Sequence, residues 1–211
     1  MTPLKQHYEN LAASVIRGLE KRNMEGFYFD TAKEAVEHIM SMIPEGSVVS
    51  WGGSVTLAET DMLDALKSAN LEVLDRDAAA SPQEKKEIER KAFCADYFFM
   101  SANAITADGK LVNVDGNGNR AAALVYGPDH VMILAGMNKI AADEENAVKR
   151  VHTNAAPPNT VRLGLQTPCG LTGVCKDCLS PDCICAHTVI TRYNRIKGRI
   201  KVFLIGEPLG F

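Results

Sequence analysis

Five of the six cysteines of this chain fall within residues 168–185, PCGLTGVCKDCLSPDCIC, spaced Cys169-x5-Cys175-x2-Cys178-x4-Cys183-x-Cys185, with His187 two residues on. A C-x2-C pair sets two thiolates on one tight turn, where both reach a single ion, and Cys169 and Cys185 can close the set from either side. Gly170, Gly173 and Pro181 supply sharp turns, and Lys176 helps keep nearby thiolates ionised. Three chemistries fit. Four thiolates, or three and an imidazole, hold a tetrahedral zinc. An iron–sulfur cluster also takes thiolates from Gly-rich loops. The third is a run of thiols with no metal. Spacing does not separate zinc from iron–sulfur. Cys94, in KAFCADY, reads as a small buried hydrophobe.

Three polar stretches offer other chemistry. SWGGSVTLAE carries a strand into Gly52 and Gly53, then Ser54 and Thr56 at a helix start. Such a loop can hold an anion, although a plain helix cap uses the same residues. It is neither a Walker A loop nor a dinucleotide fingerprint. In SANAITADGKLVNVDGNGNR, Asn103 and Thr106 stand at a strand's C-terminal end, the edge where open α/β sheets bind ligands. Asp115, Asn117, Asn119 and Arg120 crowd the turn that follows. Turn chemistry accounts for the Asp, Asn and Gly. It accounts least well for Arg120, which suits a carboxylate or phosphate. Lys139 follows an apolar strand and can bind an anion, or form a carbonyl adduct if its pKa is depressed. The plainer alternative is a solvated lysine before a helix. Glu59 is the one placed candidate for a general base or carboxylate nucleophile. No Ser-His-Asp pattern stands out.

These residues need elements to position them. Leu11, Val15, Ile16 and Leu19 recur at helical spacing over about residues 6–21. GFYFD reads as a strand, and TAKE as a capping box with Thr31 at the N-cap and Glu34 reaching back. SVVSW and LEVLD are strands, residues 76–91 a polar helix, and ADYFFMSANAIT one strand with a polar tip. This alternation predicts a parallel sheet with helices on its faces. Residues 107–136, punctuated by Asp-Gly, Gly-Asn and Gly-Pro, read as hairpins or a meander. A helix over about 143–155 is expected to stop at Pro157 and Pro158. Two strands flank Lys197-Gly198 near the end.

With 211 residues, 46% hydrophobic, the chain can bury a sizeable core in a single domain spanning 1–211. The net charge of -3, with scattered Lys and Arg, argues against nucleic acid and against a polybasic membrane patch. No apolar run approaches membrane-span length, and the amphipathic N-terminus lacks a signal-peptide pattern. A cytoplasmic setting is expected, where clustered cysteines favour metal or redox work over structural disulfides.

GGSVTLAE, NAITADGKLVNVDGNGNR, GPDHVMILAGMNKI, AVKRVHTNAAPPN, PCGLTGVCKDCLSPDCIC and LIGEPLGF occur in this order. Together, over nearly the whole chain, they closely resemble the LUD-domain (lactate utilisation) family in its short stand-alone form. The resemblance implies a three-layer α/β fold like that of the sugar-phosphate isomerase and coenzyme A transferase-like superfamily, here with an antiparallel addition and the cysteine loop at 168–187. It implies a redox-associated role in lactate or related organic-acid metabolism, beside an iron–sulfur partner protein. The implied ligands are a small anionic metabolite and a zinc ion or iron–sulfur cluster. The metal ligands would be Cys169, Cys175, Cys178 and Cys185, with Cys183 as a substitute for one. Gly52, Gly53, Ser54, Thr56, Asn103, Asn119, Arg120 and Lys139 would bind the metabolite. The rivals are an isomerase or acyl-CoA transferase using Glu59, and a non-enzymatic regulatory module with structural zinc. A homo-oligomer is compatible with all three.

Overall fold

The computed structural model describes residues 2–211. Thr2 caps α1 (Pro3–Glu20), accepting from Lys5 N at 3.3 Å, and the predicted apolar stripe buries Val15 and Leu19. β1 (Glu25–Phe29) follows. The capping box of α2 (Ala32–Ser41) forms as expected, Thr31 and Glu34 each accepting the other's backbone N–H. β2 (Val48–Trp51), α3 (Val55–Glu59), α4 (Met62–Ser68) and β3 (Glu72–Leu74) come next. α5 (Pro82–Lys91) has Ser81 as its N-cap, so Pro82 opens the helix.

β4 (Tyr97–Met100), β5 (Ala104–Thr106) and β6 (Leu111–Asp115) lead to α6 (Asn119–Val125). β7 (His130–Gly136), β8 (Ile140–Ala141), α7 (Glu144–Arg150), α8 (Ala156–Arg162) and α9 (Pro168–Thr172) follow. β9 (His187–Thr191) and β10 (Ile200–Ile205) complete the set.

Six strands form one parallel sheet in the order β1-β10-β7-β4-β2-β3. Its central strands are apolar on both sides, as a sheet covered on both faces requires. Ile133, Val202 and Leu204 pack with Leu19 and Met24 under α1, while Leu134, Phe203 and Ile205 pack with Ile39, Leu57 and Met62 under α2, α3 and α4. Each such fully buried side chain contributes about 1.5–3 kcal/mol relative to exposure. The three-layer α/β architecture is therefore as the sequence predicts. Among the described residues no helix is long and apolar enough to cross a membrane.

A second sheet, β8-β5-β6-β9, is the antiparallel addition, with β5 and β9 both antiparallel to β6. Its details correct the expectations. The run 95–106 is two strands in two sheets, because the backbone steps sideways at 101–103. Arg120 takes the Ser101 carbonyl and Arg150 the Asn103 carbonyl, at 2.8 and 2.7 Å, so neither is left for a strand partner. Residues 107–136 are not a meander. β5 and β6 form a hairpin, but residues 119–125 are a helix and β7 lies in the middle of the large sheet. The two prolines do not stop the helix at 155. A π turn over Val151–Ala155 widens it, and Pro157 and Pro158 enter the first turn of α8, where missing N–H groups cost nothing. β9 and β10 belong to different sheets. Cys94 ends a 3-10 turn with its side chain exposed.

α1 seats on the β5–β6 turn through two facing glycines. A Cβ on Gly18 would stand 2.4 Å from the Asp108 carbonyl oxygen, and one on Gly109 2.4 Å from the Gly18 carbonyl carbon. Gly18→Ala should therefore lower stability by about 1–3 kcal/mol in denaturant unfolding, as overpacking does, even though alanine is the better helix former.

Candidate functional site

All six strands of the large sheet run the same way, so their C-terminal ends share one edge. β2 leads into Gly52, β4 into Ser101, and β7 into the 3-10 turn Met137–Lys139. A cavity of about 310 Å³ opens there. Gly53, Ser54, Thr56, Asn103, Asn119, Arg120 and Lys139 all line it, and Gly52 lies beneath: a Cβ at Gly52 would meet Arg120 Cγ at 2.9 Å. Ser101, Asp115, Arg76, Arg162, Phe211 and Cys185 also line it. The cysteine loop thus borders the polar cavity. Glu59 is not among the lining residues. Its carboxylate accepts from Gly210 N at 2.6 Å.

The Arg120 side chain is only 12% exposed, and its fork is full. Nη1 donates to the Ser101 carbonyl at 2.8 Å and Asn113 Oδ1 at 2.7 Å, and Nη2 donates to Asn103 Oδ1 and the Val114 carbonyl, both at 2.8 Å. Nε faces Asp115 Oδ2 at 3.5 Å. Asp115 also accepts from Gly118 N and Ala121 N, which fixes the start of α6. Arg120 therefore joins β4, β5, β6 and α6, with no terminal N–H left over for a ligand. Ser54 is the N-cap of α3, accepting from Leu57 N at 3.3 Å.

Lys139 is 4% exposed, and its Nζ donates to Thr56 Oγ1 at 2.8 Å and Ser101 Oγ at 3.0 Å. Among the described residues no carboxylate lies within ion-pair distance of it. Burial, and after it the charges of Arg150 and Arg120, bring its pKa from 10.5 down to about 7, with Glu59 pulling the other way. Ser101 and Arg76 did not stand out in the sequence. Ser101 had a signal in the polar tip of its strand; Arg76 had none.

The six cysteines are all free thiols. Cys169 is buried with its sulfur 3.3 Å from Thr167 Oγ1. Cys175 Sγ lies 3.5 Å from Nδ1 of His152, which the sequence did not single out, whereas the His187 ring packs against Gly118. Burial, then Cys183, Cys175 and Cys169, push the Cys185 thiol up to about 12. That crowding of sulfurs suits a thiophilic cation. Among the described residues, however, no group of three or more His, Cys, Asp or Glu side chains stands gathered for one ion.

The family model for the LUD domain matches residues 12–205. A solved DUF162 family protein from Deinococcus radiodurans is similar in fold, with a TM-score of 0.52 and 13% identity over 96% of this chain and 98% of that one. eIF2B delta from Chaetomium thermophilum matches over 56% of this chain and 50% of its own, at 22% identity and TM-score 0.35. 5-Methylthioribose 1-phosphate isomerase from Pyrococcus horikoshii matches over 53% and 40%, at 15% identity and TM-score 0.33. Comparison with curated proteins gives no match.

Two outcomes follow from the geometry. Arg120→Lys keeps the charge but cannot serve four acceptors, so unfolding experiments should show a loss of about 2–4 kcal/mol. Lys139 is protonated in both folded and unfolded chains below about pH 7, where the folded state bears the full cost of the buried charge. That cost fades as pH rises from about 7 to 10.5. Denaturation across this range should therefore show the wild type gaining stability relative to Lys139→Met.

Proposed function

The chain belongs to the LUD-domain family, and from that premise we propose that it binds a small organic acid in the cavity at the sheet's C-terminal edge, as part of redox-associated metabolism of lactate or a related acid. The observation that carries this reading is the cavity's charge. Arg76, Arg120, Lys139 and Arg162 line it; Arg76 is paired with Glu89 at 2.7 Å and Arg120 faces Asp115, which leaves Lys139 and Arg162 without a carboxylate partner among the described residues. An anion entering this space meets an excess of cations in a partly desolvated setting, where each is worth more than in water. Lys139 and Arg76 offer the contacts, Asn119 lies on the rim, and Gly52, Gly53, Ser54, Thr56, Asn103 and Arg120 hold the frame.

The cysteine loop would hold zinc or an iron–sulfur cluster through Cys169, Cys175, Cys178 and Cys185, with Cys183 replacing one of them. The nearness of Cys183, Cys175 and Cys169 to Cys185 supports the version in which Cys183 replaces Cys178, and the loop would draw in around the ion. A cluster would supply one-electron chemistry beside the cavity, exchanged with an iron–sulfur partner protein; zinc would be a structural clasp. The isomerase or transferase alternative has less support, since Glu59 faces the backbone of Gly210.

Metal analysis and an absorption spectrum on anaerobically purified protein test the loop. Iron with sulfide and a visible absorption band is the expected result. Stoichiometric zinc keeps the site but removes the redox role, and no metal after reconstitution removes both. Calorimetry with L-lactate, pyruvate and glyoxylate tests the cavity. Binding should be lost in Lys139→Met with Arg76→Ala.

A further inference from the structure

Lys139 is an odd residue to find where it is. A buried lysine is ordinarily paired with a carboxylate. This one is enclosed, faces two neutral hydroxyls, and has guanidinium groups for charged neighbours. Its ammonium form is opposed twice over, by desolvation and by like charge. Those are the two devices that leave a lysine amine free to act as a nucleophile. The one carboxylate that favours its charge, Glu59, is engaged by Gly210 N.

The surroundings leave room for a reaction. A neutral amine donating its two N–H groups to Thr56 Oγ1 and Ser101 Oγ keeps its lone pair as the remaining tetrahedral position. Lys139 lines the cavity, and the chain passing beside the nitrogen does so as glycine. A Cβ on Gly210 would stand 3.1 Å from Nζ and 2.5 Å from Thr56 Oγ1. Arg76 lines the same cavity, with Nη1 paired to Glu89 at 2.7 Å and Nη2, 4.0 Å from where a Cβ on Gly53 would stand, making no hydrogen bond to the described residues. A carboxylate can therefore be held at Arg76 while another carbon of the same small molecule approaches Lys139.

We infer that the Lys139 amine captures the carbonyl carbon of a small 2-oxo acid as an imine within this cavity. The inference rests on the small-acid reading above and narrows it to acids that carry a ketone or aldehyde. The lone pair forms the C–N bond as the C=O π electrons move to oxygen, which takes up a proton. The nitrogen then releases a proton, and the carbinolamine oxygen leaves as water after a second protonation. Amine, carbonyl and one proton thus give the protonated imine and water, and loss of that proton from nitrogen gives the neutral imine, with no oxidant or reductant consumed. The Ser101 and Thr56 hydroxyls, both on Nζ, are placed to relay these protons. Protonated, the imine draws electrons from the adjacent carbon and so suits proton removal or carbon–carbon cleavage there.

The test is reductive trapping. The full chain is incubated near pH 7 with pyruvate or glyoxylate and sodium cyanoborohydride, then read by intact mass and peptide mapping. The expected result is one reduced adduct per chain, on the peptide containing Lys139, absent with L-lactate and lost entirely in Lys139→Met. No adduct, or adducts scattered over surface lysines at the same level in wild type and Lys139→Met, overturns the inference. Calorimetry with the same acids and no reductant separates the two readings. Binding without trapping overturns the imine alone, and no binding overturns the small-acid reading with it.

Discussion

A single guanidinium ties this molecule together. Arg120 satisfies backbone and side-chain oxygens from the link between β4 and β5 and from the body and last residue of β6. In water each of those groups would have its own solvent partner. Away from water each costs roughly 1–3 kcal/mol if unpaired. One planar fork with five donors answers them all, which a lysine's point charge cannot do. The small sheet is joined to the large one at a place where neither can supply the other with ladder hydrogen bonds.

The cavity inherits its character from that joint. The chain can step sideways between β4 and β5 because Arg120 and Arg150 take the carbonyls there, and the step brings Ser101 over Lys139. The same two cations oppose the protonation of Lys139. The groups that hold the sheets together thus also set the state of the amine beside the cavity. Gly52 belongs to this arrangement, since any side chain on it would press on the stem of Arg120.

The frame of the fold could be read from the chain because it rests on local signals. The capping box at Thr31, the double-sided apolar strands and the stripe on α1 each act within a few residues. What escaped reading depends on partners far away. Nothing near Ser101 or Asn103 announces that an arginine 19 residues on and another 47 residues on will take their carbonyls, so one strand was expected where there are two. The helix at 119–125 had a local signal, NRAAALV, rich in helix formers, that the surrounding Gly and Asn obscured. The prolines at 157 and 158 break a regular helix but suit one restarted after a π turn. Most of the polar residues singled out do line one cavity, because strand ends in a parallel sheet converge. Their individual duties, such as the filled fork of Arg120, are tertiary facts.

The facing glycines of α1 and the β5–β6 turn carry a consequence for how such a chain can change over time. Their contact is made by missing atoms, so it has no spectrum of graded substitutes. Every other residue adds the same first carbon, in the same place, against backbone that cannot swing aside. The outward surface of α1 is free to drift, whereas Gly18 and Gly109 can be replaced only if the helix lifts off the hairpin. Lineages that diverge almost everywhere else should keep both or lose both.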